Sequence, residues 1–257
     1  MRGIVLLVID VGNTNIVLGI YKKSELFNHW RIRTINNTTE DEFNIIITSL
    51  FNNSDINKNE IKKTVISSVV PNMIIILESF CSKYLGHNPI WINPKSCSLP
   101  IAIENIDELG ADRIVNSVAG YNKYKKSIII VDFGTATTFD SISDDGVYLG
   151  GAISPGIIIA SEALFNKASK LPRVDIFKPP KFAIGTNTKK SIQSGILYGY
   201  AGLVDGIVRR IISEMGDPKP FVIATGGLSR LISSLSETID KIEIELTLEG
   251  LRIIGSN

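Results

Sequence analysis

A chain of 257 residues with 44% hydrophobic and 21% charged side chains can bury a large core, as one large domain or two of ordinary size, and is neither disordered nor fibrous. Lysine and arginine (27) nearly balance aspartate and glutamate (26), leaving a formal net charge of +1; this argues against nucleic acid or an anionic membrane as the main partner. Cys81 and Cys97, with His29 and His87 as the only histidines, make neither a disulfide framework nor a Cys/His zinc site, so a reducing cytoplasm is the expected compartment.

The first element is an apolar strand over residues 4–9 that ends in Asp10. No apolar run approaches the roughly 18 residues of a membrane span. The opening run stops at Asp10 without a small-residue cleavage site, so it is not expected to act as a signal peptide. Gly12, Asn13 and Thr14 form a tight turn, and a second apolar run over residues 16–20 leads away, which reads as a hairpin. A third strand is expected over residues 27–33. Thr39 with Glu42 is a capping-box signature for a helix to about Phe51, with Phe43, Ile46, Ile47 and Leu50 at helical spacing. Residues 52–63 read as a surface loop and 65–70 as a strand. Pro71 suits the first position of a helix whose stripe is Met73, Leu77, Phe80 and Tyr84, stopped by Gly86. Cys81 beside that stripe reads as core packing. A short strand over 90–92 completes a β-β-β-α-β-α-β order.

Residues 105–124 read as a turn entering a helix. A buried strand over 128–131 then runs into Asp132, Phe133, Gly134 and Thr135, which repeats the opening pattern about half a chain later. Strands over 137–142 and 148–153 follow, then helices over 155–168 and 191–215. A strand over 221–224, a helix over 228–235, a last strand over 243–246 and a helix from Thr247 complete the chain. The expected architecture is therefore two related α/β halves, 1–118 and 119–257, each opening with a hairpin that presents an Asp and a Thr.

Small residues in such a turn let backbone N–H groups approach a phosphate closely, Thr14 adds a hydroxyl, and Asp10 can hold a hydrated metal ion. An ordinary hairpin with an Asx turn explains one copy equally well; the second copy favours phosphate binding. Gly110-Ala111-Asp112-Arg113 places an acid and a base at a helix start, where Asp112 reads either as a functional acid or as an N-cap. Residues 150–156 (GGAISPG) read as a glycine-rich strand-to-helix turn, and 225–227 (TGG) as another.

In order along the chain, DVGNTN (10–15), GADR (110–113), DFGTATT (132–138), GGAISPG (150–156), GTNTKKSIQSG (185–195), TGGL (225–228) and LTLEGL (246–251) resemble the type III pantothenate kinases. That family belongs to the acetate kinase–sugar kinase–Hsp70–actin superfamily, and the resemblance covers essentially the whole chain. It implies a fold of two duplicated ribonuclease H-like (actin-like ATPase) α/β subdomains facing a central cleft. It also implies ATP-dependent phosphorylation of pantothenate to 4′-phosphopantothenate, the first step of coenzyme A synthesis. By the same resemblance the ATP phosphates lie on Asp10, Val11, Gly12, Asn13, Thr14, Asn15, Ile16 and Val17, with Asp10 holding Mg²⁺ through water. Thr135 touches ATP, and Asp132 binds a monovalent cation, K⁺ or NH₄⁺. Gly110, Ala111, Asp112 and Arg113 hold pantothenate, with Asp112 as proton acceptor. Thr188 contacts pantothenate from the partner subunit of a homodimer. Where family members often carry a tyrosine beside the substrate, this chain has Ile103, which removes a hydroxyl and an aromatic wall.

The chemistry suits those roles, because phosphoryl transfer needs charge neutralisation and in-line positioning more than covalent help. A helix N-terminus at Asp112 is expected to favour its ionised form. The Leu-rich 246–251 segment is expected to be apolar surface on a monomer and so to mark a dimer contact. A non-catalytic nucleotide-binding regulator on the same scaffold is the alternative, and retention of Asp10, Asp112, Arg113 and Asp132 favours the enzyme. A chaperone-like or cytoskeletal ATPase would need insertions for which the chain has no room.

Overall fold

The opening apolar run becomes β1 (Val5–Val11), the middle strand of a five-stranded sheet. Ile4, and the Met1-Arg2 start, lie outside the residues that the structure, a computed structural model, describes: 5–168, 170–217 and 219–256. Every β1 side chain except Asp10 is buried, as expected of a central strand covered on both faces. β2 (Asn15–Lys22) returns antiparallel to β1, and β3 (Glu25–Arg33) forms the half-exposed edge. β4 (Ile61–Ser68) pairs parallel on the other side of β1, followed by β5 (Ile90–Trp91), giving the order β3-β2-β1-β4-β5.

Helix α1 (Glu40–Asn52) begins with the expected capping box. The Glu42 N–H donates to Thr39 Oγ1 at 3.2 Å, and the Thr39 N–H donates to the Glu42 carboxylate at 2.8 Å. Phe43, Ile47 and Phe51 are its buried stripe, and Ile46 lies on the exposed margin. Pro71 stands one position earlier than expected, as the N-cap of α2 (Asn72–Phe80). Met73, Leu77 and Phe80 are buried, and a single wide π turn over Cys81–Leu85 ends at Gly86 with φ +72°. Cys81 is fully buried, and desolvation pushes its thiol up to about 12, so it packs and does not react. The loop expected over 52–63 is shorter, because Ile56 and Ile61 enter the core and β4 starts at Ile61.

This first unit comprises 1–99, 104–119 and 245–257. Its last pieces are the start of α3 (Ala111–Tyr124) and the C-terminal α7 (Leu246–Ser256). Leu246, Leu248 and Leu251 are buried. A Cβ on Gly19 would come within 3.2 Å of Leu248 Cδ1, and one on Gly250 would lie 2.2 Å from the Val115 carbonyl oxygen. The expectation that residues 246–251 would be apolar surface is therefore overturned: the protein's own β1–β2 sheet and α3 cover them.

The second unit comprises 100–103 and 120–244. Its strands β6 (Ile128–Phe133), β7 (Ala136–Ile142), β8 (Tyr148–Pro155), β9 (Phe221–Thr225) and β10 (Lys241–Ile242) take the order β10-β9-β6-β7-β8. β6 is antiparallel to β7 and parallel to β9, which repeats the relation of β1 to β2 and β4. The fold is thus a duplicated ribonuclease H-like α/β arrangement. Helices α4 (Ile157–Lys167), α5 (Thr188–Met215) and α6 (Ser229–Ser233) complete it. The last strand, expected over 243–246, lies at 241–242, since α7 already begins at Leu246. Most of GGAISPG is strand and not turn: Gly151 lies opposite Asp140, and a Cβ there would sit 1.6 Å from the Phe139 carbonyl oxygen. Residues 100–103 join this unit through Ala102 N–H to Tyr148 O and Tyr148 N–H to Pro100 O, both 2.8 Å. A single cut after residue 118 does not describe this, because the chain passes between the units at 100–103 and again near 245.

Candidate active site

In the first unit β1 delivers Asp10 to its C-terminal end, in register with Val17 of β2 and Ser67 of β4. The turn that follows is closed by Gly12 N–H donating to Asn15 O at 3.0 Å. Asn13 and Thr14 are exposed, whereas Val11 and Ile16 are buried. Val11 and Ile16 therefore spend their side chains on the core and can offer a ligand only backbone. Ser67 Oγ is fully buried without a hydrogen-bond partner. Asp10, a half-buried hard oxygen donor beside the exposed Asn13 and Thr14, fits a hydrated Mg²⁺ ion, whereas Ser67 Oγ is too deeply buried to reach its water.

Also in the first unit, the segment 110–113 opens α3. Asp112 Oδ1 accepts from the Arg113 N–H at 2.8 Å. The carboxylate folds over Gly110, where a Cβ would lie 2.6 Å from Asp112 Oδ1, so a larger residue there would push the carboxylate aside. Burial pushes the Asp112 carboxyl above its ordinary value; the Arg113 N–H and charge oppose this without cancelling it. Desolvation thus opposes the ionised form that the helix start was expected to favour. A half-buried carboxylate with raised proton affinity is suited to accept a hydroxyl proton.

In the second unit three motifs that are far apart in sequence converge. Asp132, the penultimate residue of β6, lies in register with Thr138 and Thr225. Gly226 has φ +87°, and a Cβ there would lie 2.5 Å from Asp132 Oδ1 and 2.7 Å from the Phe133 carbonyl oxygen. These two oxygens therefore border a space that only glycine leaves open, and hard oxygen donors suit a monovalent cation, so these residues fit that ion. At the hairpin tip, Gly134 N–H donates to Ala136 O at 3.0 Å, and Gly156 N–H donates to Thr135 O at 3.1 Å. The buried Tyr200 of α5 braces the base, with its hydroxyl 2.6 Å from Thr137 Oγ1 and donating to Pro155 O at 2.7 Å.

Thr188 is exposed at the first turn of α5, behind the Asn187 N-cap. It precedes Tyr200, which braces the Thr135 hairpin, by about 18 Å of helix. It borders a hollow of about 910 Å³ lined by Pro180, Phe182, Ile184 and several lysines. A second hollow of about 650 Å³, beside Glu40, Lys83 and Trp91, contains none of the site residues. Ile103 is half-buried over Gly150, where a Cβ would come within 3.5 Å of its Cγ2. Sequence reading passed over Ser67, Tyr200 and the contact of Gly226 with Asp132. Strand periodicity for Ser67 and helical periodicity for Tyr200 mark them only as core, and glycine at a strand end signals a turn without naming its neighbour. Among the described residues no group of three or more His, Cys, Asp or Glu forms a metal cage.

Comparison with known proteins identifies the family. The profile described as type III pantothenate kinase matches residues 6–210. The protein of that name from Desulfatibacillum aliphaticivorans is 60% identical over 250 residues, 97% of each chain. Among solved structures, a Campylobacter jejuni protein described as a Baf family transcriptional activator aligns with TM-score 0.61 at 20% identity, covering 96% of each chain. A ROK hexokinase from Thermus thermophilus aligns with TM-score 0.55 at 12% identity, covering 98% of each. These structural likenesses, at such low identities, establish the fold alone. With a profile over most of its length and a relative at 60% identity across nearly all of it, the chain belongs to the type III pantothenate kinase family.

Proposed function

We propose that the chain transfers the γ-phosphoryl group of ATP to the hydroxyl of pantothenate, with Asp112 taking the hydroxyl proton. The observation that carries this is the Asp112 carboxyl, folded over Gly110 and raised in proton affinity by burial. The Gly12–Thr14 turn supplies N–H groups and the Thr14 hydroxyl to the phosphates. Asp10, half-buried at the end of β1, holds water around Mg²⁺. Thr135 serves ATP, and Asp132 with the Phe133 carbonyl serves K⁺ or NH₄⁺. When bound, these cations neutralise the charge that accumulates on the phosphoryl oxygens. The forked guanidinium of Arg113 matches the pantothenate carboxylate.

The test is ADP release measured with and without pantothenate, in potassium, ammonium and sodium buffers. Pantothenate-dependent ADP release is expected, high in potassium or ammonium and low in sodium. Release independent of pantothenate would sink the assignment, and equal rates in sodium would remove the monovalent-cation role of Asp132.

A homodimer is part of this reading. It now rests on the second unit, where Ile184 (85%), Phe182 (66%) and Ile153 (64%) are exposed apolar side chains, and on Thr188, remote along α5 from its own hairpin. The chain is expected to sediment as a dimer at micromolar concentration. A fully active monomer would refute it. The cytoplasm is the compartment in which such a biosynthetic kinase would work; no described helix is long and apolar enough to cross a membrane.

A further inference from the structure

The two hairpin turns share a backbone strap but differ in tip length, Gly12 N–H closing on Asn15 O and Gly134 N–H on Ala136 O, and in one side chain. In each, the residue just after the third strand donates its N–H to the carbonyl of the turn threonine. Thr34, following β3, donates to Thr14 O at 3.0 Å, and Gly156, following β8, donates to Thr135 O at 3.1 Å. Only the first strap carries a side chain: Thr34 Oγ1 donates to Gly12 O at 2.6 Å. At Gly156 any Cβ would lie 2.3 Å from Thr135 O, so the second turn has no room for the extra bond. The second, shorter turn closes with the backbone strap alone, and the Thr34 hydroxyl bond is a feature of the longer first turn.

We propose that Thr34 is a positioning residue for phosphate binding, fixing two peptide planes of the first turn. This rests on the reading that the turn beside Asp10 receives the ATP phosphates. In a planar trans peptide the C=O and the following N–H point in opposite directions. Holding the Gly12 and Thr14 carbonyls on the Thr34 side therefore turns the N–H groups of Asn13 and Asn15 to the opposite side. Without the hydroxyl, the 12–13 peptide loses its restraint. That plane lies in a glycine-containing turn and is the one most able to flip. A flipped plane would present a carbonyl oxygen where the phosphate needs a donor, and an anion is repelled by it.

Thr34→Val keeps the shape and the backbone N–H and removes only the hydroxyl; Thr34→Ser restores a hydroxyl. Steady-state kinetics, calorimetric titration with a non-hydrolysable ATP analogue and thermal melts are run on both variants, with Asp10→Asn alongside. Thr34→Val is expected to raise the ATP KM and the analogue Kd by roughly three- to tenfold, the range of one net hydrogen bond. The pantothenate KM should stay put, and Thr34→Ser should return ATP binding to near wild type. Wild-type ATP binding in Thr34→Val would overturn the proposal. So would failure of Thr34→Ser to rescue, or a parallel rise in both KM values with a large fall in Tm. If Asp10→Asn weakens catalysis while Thr34→Val does not alter ATP binding, the positioning role alone fails. If Asp10→Asn also leaves ATP use and turnover untouched, the phosphate-turn reading itself fails.

Discussion

Asp112→Asn is expected to lower kcat by about 10²–10⁴-fold, the usual cost of losing a general base, without lowering the melting temperature at neutral pH. Asparagine keeps the shape and can still accept the Arg113 N–H, but it cannot take a proton from the substrate hydroxyl. The stability half of the result follows from the direction of the pKa shift. Burial is the largest influence on Asp112 and raises its folded-state value; the Arg113 N–H and guanidinium only reduce that rise. A carboxyl raised on folding contributes stability that is complete below its unfolded pKa and is lost as pH climbs through the folded one. Above that window the buried charge opposes folding, and asparagine does not carry it. The wild-type kcat/KM profile should accordingly show an acid limb displaced above the ordinary carboxylate value of about 3.9, and the variant should lack that limb. Turnover within about threefold of wild type, well short of a general-base loss, would rule out the role and leave Asp112 as a helix-start acid.

Gly226→Ala is the second substitution expected to be severe, although it lies 94 residues from the aspartate it affects. Two costs combine there. The backbone sits at φ +87°, where an L side chain is strained by about 1–2 kcal/mol. The new methyl would also fall 2.5 Å from Asp132 Oδ1 and 2.7 Å from the Phe133 carbonyl, so the carboxylate or the strand end must move. Displacing a positioned charge by about 1 Å can cost on the order of 10²-fold in rate. The expected outcome is a fall in kcat of that order and a higher potassium requirement, in a protein that still folds. Kinetics against potassium concentration, read beside circular dichroism, test it. A folded variant with unchanged potassium dependence would show that Asp132 does not hold the cation.

Much of this was legible because it is local. The Thr39–Glu42 capping box is a contact over three residues, and β1 and β6 are continuous apolar runs that only central strands bury on both faces. The Asp-x-Gly-x-Thr turn at 10–14 and the Asp-x-Gly-Thr turn at 132–135 announce themselves because aspartate, glycine and threonine are each needed within five positions. The order of motifs was likewise enough to reach the family, since each motif is a short segment whose chemistry does not depend on its distant neighbours.

The tertiary structure decided what apolar periodicity leaves open, namely which surface covers a given face. Leu246, Leu248 and Leu251 would serve equally well at a dimer contact or in a core. The chain's return to β1, with Gly19 and Gly250 permitting close approach, buries them in the protein's own first unit. Strand pairing likewise carried residues 100–103 to β8. The proton affinity of Asp112 was decided the same way. Its place at a helix start is visible in sequence and argues for the ionised form, but desolvation depends on everything packed around it and reverses the sign. Gly226 and Asp132 are neighbours because β9 lies parallel beside β6. Sequence determined the elements and the chemistry each carries, because hydrogen-bonded turns, caps and strand runs are short-range; burial and contact across the sheets are long-range, and only the folded chain sets them.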